Sequence, residues 1–172
     1  MDLIKTLDSA HSRAVTDRVV HWVGKSPKRF AELVALAVTG NGAAASRACW
    51  ALTNSAEVNP HLLEPHFKAL VNALGKAGQS EERKRSIVRT LQFVDIPKSQ
   101  QGKAATICFG FVNDPGEAIA VRCFSISVLE RLANQNPGLR HELRLVLEDH
   151  LNYGSSGFRS RASRVLKRLR QG

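Results

Sequence analysis

Residues 114–132 read DPGEAIAVRCFSISVLERL, which is the pattern of a helix that packs against several neighbours. Asp114 and Pro115 predict its start, because aspartate accepts hydrogen bonds from first-turn N–H groups and proline fits the first helical position. Glu117 completes a capping-box pattern. Apolar residues then recur at helical spacing on one side, and others fill much of the opposite side: Val121, Phe124, Val128, Leu129 and Leu132, then Ile119, Cys123 and Ile126. A helix that is apolar nearly all round is usually covered on more than one face.

Similar helix pairs recur along the chain at intervals of just under 40 residues. Prolines that open the first helices are 33, 37 and 40 residues apart, at Pro27, Pro60, Pro97 and Pro137. The second helices carry a basic column with spacings of 37, 38 and 39 residues: Arg47, Lys84, Arg122 and Arg161. The register of the second pair stays open, because Arg83, Lys84 and Arg85 are all basic. One pair cannot bury its apolar faces alone, whereas stacked pairs can.

These features predict an all-α fold: a right-handed α-solenoid (superhelix) of about four helix pairs with an N-terminal helical cap. Hydrophobic residues make up 43% of the chain, which argues against disorder. We expect a single domain over residues 1–172, with the cap at 1–25 and the pairs at 26–57, 58–95, 96–134 and 135–172.

The segment DPGEAIAVR at residues 114–122 resembles the HEAT-repeat pattern, in which an aspartate in the inter-helix turn precedes an arginine in the second helix. The resemblance covers roughly Ser26 to Leu169, and the chain is also similar to compact bacterial HEAT-like proteins of about this size. The basic position recurs in all four units, but the turn aspartate occurs only in the third. The resemblance implies a HEAT-like solenoid and leaves the function open, since such solenoids serve many partners.

An adenylosuccinate lyase label, which compact chains of this kind sometimes carry, has no support in the sequence. That enzyme class has a loop of the type G-S-S-x-M-P-x-K. Residues 154–159 read GSSGFR and share only the first three residues of that loop. The chain is also too short for the long helices of that fold.

The basic column has two interpretations. By the resemblance, Arg122 is a structural tie to the turn acid Asp114 or to neighbouring carbonyl groups. The alternative is that the column lines a binding groove, and for Arg47 and Arg161, which lack a matching turn aspartate, both interpretations stay open.

A second set of residues is predicted to face away from the core on the second helices: Trp50, Arg85, Arg89, Arg164 and Lys167. Second helices commonly line the concave surface of a helical solenoid, and an exposed tryptophan beside arginines is a plausible contact centre. Trp50 has the alternative of packing against a neighbouring repeat. The basic segment 159–170, which contains no acid, suits either a solvated terminal helix or an anionic contact.

The sequence contains no recognisable catalytic or metal-binding motif. None of its six histidines forms an H-E-x-x-H pair, and no Cys/His cluster has zinc spacing. We therefore expect neither enzymatic activity nor a cofactor. The odd count of three cysteines predicts reduced core thiols, and with no visible signal peptide or membrane span we expect a cytoplasmic location.

The predicted function is a non-enzymatic interaction or scaffold module that binds a partner protein or peptide on the concave face. The formal net charge of +10 leaves one alternative, a basic HEAT-like protein that binds the phosphate backbone of nucleic acid non-specifically.

Overall fold

The computed structural model describes residues 1–171, and within that range every regular element is helical. Ten α-helices and one 3₁₀ helix at Pro60–His66 follow one another along the chain. The α-helices are α1 (Leu3–Ser9), α2 (Arg13–Val23), α3 (Pro27–Thr39), α4 (Gly42–Val58), α5 (Phe67–Leu74), α6 (Glu81–Leu91), α7 (Lys98–Asn113), α8 (Ile119–Gln135), α9 (Pro137–His150) and α10 (Ser156–Gln171). The prediction of an all-α fold is confirmed.

Several helices begin at a serine whose side chain caps the first turn. The hydroxyl groups of Ser12, Ser26 and Ser80 each accept a hydrogen bond from the backbone N–H three residues later. Pro27 then occupies the first position of α3. These bonds satisfy N–H groups that have no partner inside the helix, so the helix starts follow from local sequence.

The predicted helix start at Asp114 is wrong. The Oδ1 atom of Asp114 accepts a hydrogen bond of 2.8 Å from the N–H of Gly116, and the N–H of Glu117 donates to the Asp114 carbonyl at 3.2 Å. These four residues thus form a β-turn with Pro115 at its second position, and α8 begins only at Ile119. Asp-Pro suits a turn and a helix start equally well, and here the chain must reverse direction between α7 and α8.

The first unit of the chain, Met1–Asp95, is built around α4. This helix packs against α1, α2, α3, α6 and the 3₁₀ helix. Its inward positions are small or apolar, and Ala48, Ala51 and Leu52 are completely buried. Small side chains let neighbouring helices approach closely, which explains how one helix contacts so many others.

The second unit, from Ile96 onward, holds α7–α10 and is built around α8. Helix α8 packs against α7, α9 and α10, so the prediction that it is covered on more than one face is confirmed. It is less completely covered than predicted, because Ile119 is 53% exposed and Cys123 is half-buried. The single domain over residues 1–172 stays a prediction.

Candidate functional site

Arginines of the predicted basic column donate to carbonyl groups in the last turns of helices. Arg47 Nη1 donates to the Leu7 carbonyl of α1 at 2.6 Å. Arg122 Nε and Nη2 donate to the Val112 carbonyl of α7 at 3.2 and 2.8 Å. The last carbonyls of a helix lack intrahelical partners and carry the negative end of its dipole, so a guanidinium is favoured there.

The second helix pair uses Arg83 for this purpose. Arg83 Nε donates to the Ala37 carbonyl of α3 at 2.8 Å, and Nη2 donates to the carbonyl of Gly40. The neighbouring Lys84 is half-buried. In this pair, therefore, Arg83 makes the bond to the end of the neighbouring helix, although the predicted spacing favoured Lys84.

Arg122 and Arg161 differ in surroundings, although the spacing made them equivalent. Arg122 is only 6% exposed, and its Nη2 atom lies 3.4 Å from His150 Nδ1. Arg161 is half-buried and donates from Nη1 to the hydroxyl of Ser127, in the middle of α8. Arg122 therefore contacts the end of a helix, whereas Arg161 lies between the two second helices of its unit.

In the first unit, the second helices α4 and α6 lie side by side. The hydroxyl oxygens of Thr53 and Thr90 are 3.0 Å apart at their contact. Arg89 forms an ion pair with Glu57 at 3.4 Å, so this predicted site residue already has an acidic partner. Arg85 is exposed, as predicted.

Trp50 also lies on this part of α4, and its indole is half-buried. It meets the ring of His11 edge-to-face, with the ring centroids 5.8 Å apart. Trp50 therefore packs against the segment between α1 and α2 and keeps part of its ring in solvent, which combines the two interpretations that the sequence left open.

In the second unit, α8 and α10 run parallel. Arg161 of α10 contacts Ser127 of α8, and Arg168 further along contacts Glu130 at 2.6 Å and 2.9 Å. We call the surface they form the α8/α10 face; it consists of Cys123, Ser127, Glu130, Arg161, Arg164, Lys167 and Arg168.

Two predicted site residues on this face have no acidic partner. Arg164 is exposed, and its Nε atom bonds only within α10, to the Ser160 carbonyl at 3.3 Å. Lys167 is exposed and forms neither a hydrogen bond nor an ion pair with any residue among 1–171. The face therefore presents unneutralised positive charge to solvent.

Cys123 is a member of this face that the sequence assigned to the core. The prediction of core thiols agrees with the burial of Cys49 and Cys108 and is wrong for Cys123, which is half-buried. Burial raises the pKa of the Cys123 thiol, and the nearby Arg161, Arg122 and Arg164 partly oppose that rise. Helical spacing was the missed signal, because Cys123 shares one side of α8 with the polar Ser127 and Glu130.

A groove that sequence analysis did not predict separates the first helices α7 and α9. It encloses about 710 Å³ and is lined by Ala105, Phe109 and Leu139 among other residues. Two of its polar lining residues bond to each other, with Asn136 Nδ2 donating to Gln101 Oε1 at 3.0 Å. Apolar atoms form the larger part of the exposed lining.

Residues 1–171 offer neither a metal site nor a membrane-spanning helix. No group of three or more His, Cys, Asp or Glu side chains there is arranged to hold a metal ion. None of the helices in that range combines the length and the apolar character needed to cross a membrane.

Comparison with known proteins gives the family. A model of the HEAT repeat domain matches residues 3–169, whereas no curated protein and no solved structure matches the chain. Because the family model spans nearly the whole sequence, the chain belongs to the HEAT repeat family and has its all-α solenoid fold.

Proposed function

We propose that the chain is a non-enzymatic interaction module that binds a partner protein or peptide through its second helices. HEAT repeats generally mediate protein–protein interactions, and the family is typically a non-catalytic scaffold. One observation supports the second helices as the binding surface. The arginines at Arg47, Arg83 and Arg122 are occupied by internal carbonyl groups, whereas Arg85, Arg164 and Lys167 are exposed on the second helices.

A cytoplasmic location is part of the same proposal. All three cysteines are unpaired. Free thiols are typical of reducing compartments, where disulfide bonds are rare.

Selection of peptides from a displayed random library on the immobilised protein tests the function. Peptides that bind the second helices should have lower affinity for one of two double variants. The first is Trp50→Ala, Arg85→Glu on α4 and α6, and the second is Arg164→Glu, Lys167→Glu on α10. The matched controls reverse charges on first helices, with Lys28→Glu on α3 and Arg144→Glu on α9. Selected peptides that respond only to the control variants would place binding elsewhere, and a library that yields no binder would contradict the proposal.

Non-specific binding of nucleic acid is the second candidate, favoured by the net charge of +10 and by α10, which has six basic residues and no acid. Binding through phosphates weakens steeply with salt, because each contact releases condensed counterions. An electrophoretic shift with a DNA duplex at low salt that disappears at physiological salt is the expected result for this candidate. The absence of a shift at both salt concentrations would exclude it.

A further inference from the structure

We propose that the α8/α10 face binds a short acidic segment of a partner protein, with Asp or Glu carboxylates seated between Arg161, Arg164 and Lys167. This inference rests on the proposed interaction function and names the chemistry of the partner. It concerns the second unit alone.

The charge balance of α10 supports an acidic ligand. Arg168 is neutralised by Glu130 at 2.6 Å, and Arg170 by Glu148 at 3.1 Å. Arg164 and Lys167 have no acid within residues 1–171, and they are neighbours on the helix surface because they are three residues apart. Two adjacent cations without counter-charges favour a ligand that supplies carboxylates.

Arg161 adds a cation that is already held in place. Its hydrogen bond to Ser127 orients the guanidinium beside Arg164 on the same side of α10. A guanidinium has five N–H donors, so donors remain for a carboxylate after this bond is made. A group ordered before binding loses less conformational entropy on association.

The size of the face favours a short peptide segment. Positions 161 and 168 are seven residues apart, which corresponds to about 10 Å along a helix axis. An extended peptide rises about 3.3 Å per residue, so its side chains on one side can place two carboxylates over this length.

A protein segment fits this face better than a single-stranded nucleic acid does. Proteins that bind single strands without sequence preference combine basic grooves with exposed aromatic rings on which bases stack. Helix α10 has one aromatic residue, Phe158, which is completely buried.

Binding of a defined probe tests the inference. The probe is a fluorescent eight-residue peptide that alternates Glu and Ala, and its partner probe has Gln in place of each Glu. We expect fluorescence anisotropy to show binding of the Glu peptide at least tenfold tighter than binding of the Gln peptide. The double variant Arg164→Gln, Lys167→Gln should bind the Glu peptide at least tenfold more weakly than the wild type. The control double variant Lys28→Gln, Lys68→Gln removes the same charge from α3 and α5, and its affinity for the Glu peptide should change less than twofold.

Alkylation of Cys123 locates the bound peptide independently of these variants. Cys49 and Cys108 are 1% and 0% exposed, so a maleimide reagent should modify Cys123 first. A saturating concentration of the Glu peptide should slow this modification severalfold, because the peptide covers the thiol and pairs with the arginines beside it. An unchanged rate with bound peptide would overturn the assignment to this face.

The remaining outcomes separate this inference from the proposed function. Equal affinity for the Glu and Gln peptides would overturn the acidic chemistry. So would an RNA oligonucleotide that binds more tightly than the Glu peptide and depends on Arg164 and Lys167. In either case, library-selected peptides that respond to second-helix variants would still support the interaction module, whereas a library without binders would contradict the module itself.

Discussion

The guanidinium of Arg122 lies over the ring of Phe158, 4.3 Å from the ring centroid. The same group donates two hydrogen bonds to the Val112 carbonyl. One buried arginine thus joins α7, α8 and α10. The cation is stabilised by a carbonyl dipole and an aromatic face.

Replacing this arginine should destabilise the second unit. Arg122→Met should lower the free energy of unfolding by about 3 kcal/mol, because the Val112 carbonyl is left buried without its donor and the contact with Phe158 is lost. Urea unfolding measures the change. Arg159→Met, an exposed change on α10, should stay within about 0.5 kcal/mol of the wild type. Equal stabilities of the two variants would contradict the structural role of Arg122.

The threonine contact between α4 and α6 should show energetic coupling. The Thr53 hydroxyl contacts both Thr90 Oγ1 at 3.0 Å and the Ser86 carbonyl at 3.2 Å. Thr53→Val and Thr90→Val should each cost about 1 kcal/mol, since each removes a buried hydrogen-bonding group. The double variant should cost less than the sum by about 0.5 kcal/mol or more, because the first change already removes the shared bond. Strict additivity in a double-mutant cycle would show that the two hydroxyls are independent.

The buried Cys108 thiol predicts a loss of stability in alkaline solution. Burial raises its pKa from 9.0 to about 12. Between these values the unfolded chain releases the thiol proton while the folded chain retains it, so stability present below pH 9 falls as pH rises. The loss is about 1.4 kcal/mol per pH unit for one such group.

Unfolding in urea at pH 8 and pH 10.5, with a reductant present, measures this effect. The decrease in unfolding free energy between the two pH values should be about 2 kcal/mol smaller in Cys108→Ala than in the wild type. Cys123→Ala removes a half-buried thiol and serves as the control, with a much smaller effect expected. The same decrease in Cys108→Ala and the wild type would contradict the prediction.

Replacing two glycines by alanine should change the stability of the protein in opposite directions. A Cβ atom at Gly40 would lie 2.4 Å from the Leu36 carbonyl oxygen, so Gly40→Ala should cost about 2 kcal/mol as the backbone shifts. A Cβ at Gly110, inside α7, meets nothing within 4 Å. Gly110→Ala should therefore stabilise the protein by up to about 1 kcal/mol, since alanine is the better helix former. Thermal unfolding of both variants checks the signs, and a stabilised Gly40→Ala would contradict the close approach.

Much of the candidate site could be placed on its helices by sequence alone. Arg85, Arg164 and Lys167 lie on second helices and are exposed, because helical periodicity determines which side of a helix is polar. Periodicity does not determine which exposed cation has a counter-charge. The pairs Arg89–Glu57 and Arg168–Glu130 join residues 32 and 38 positions apart, and only packing brings them together.

The amino-acid sequence by itself determined the helical class, the repeating pairs, the family and most helix starts, because caps and periodicity act over a few residues. Tertiary structure decided three further points. The segment at Asp114 forms a turn, and Arg83 rather than Lys84 bonds to the end of α3. Cys123 is half-buried beside arginine side chains. Each depends on where another helix lies: a reversal between α7 and α8, the unsatisfied carbonyls at the end of α3, and the parallel packing of α10 on α8. Local sequence permits several partners for these groups, and the distances set by packing select one.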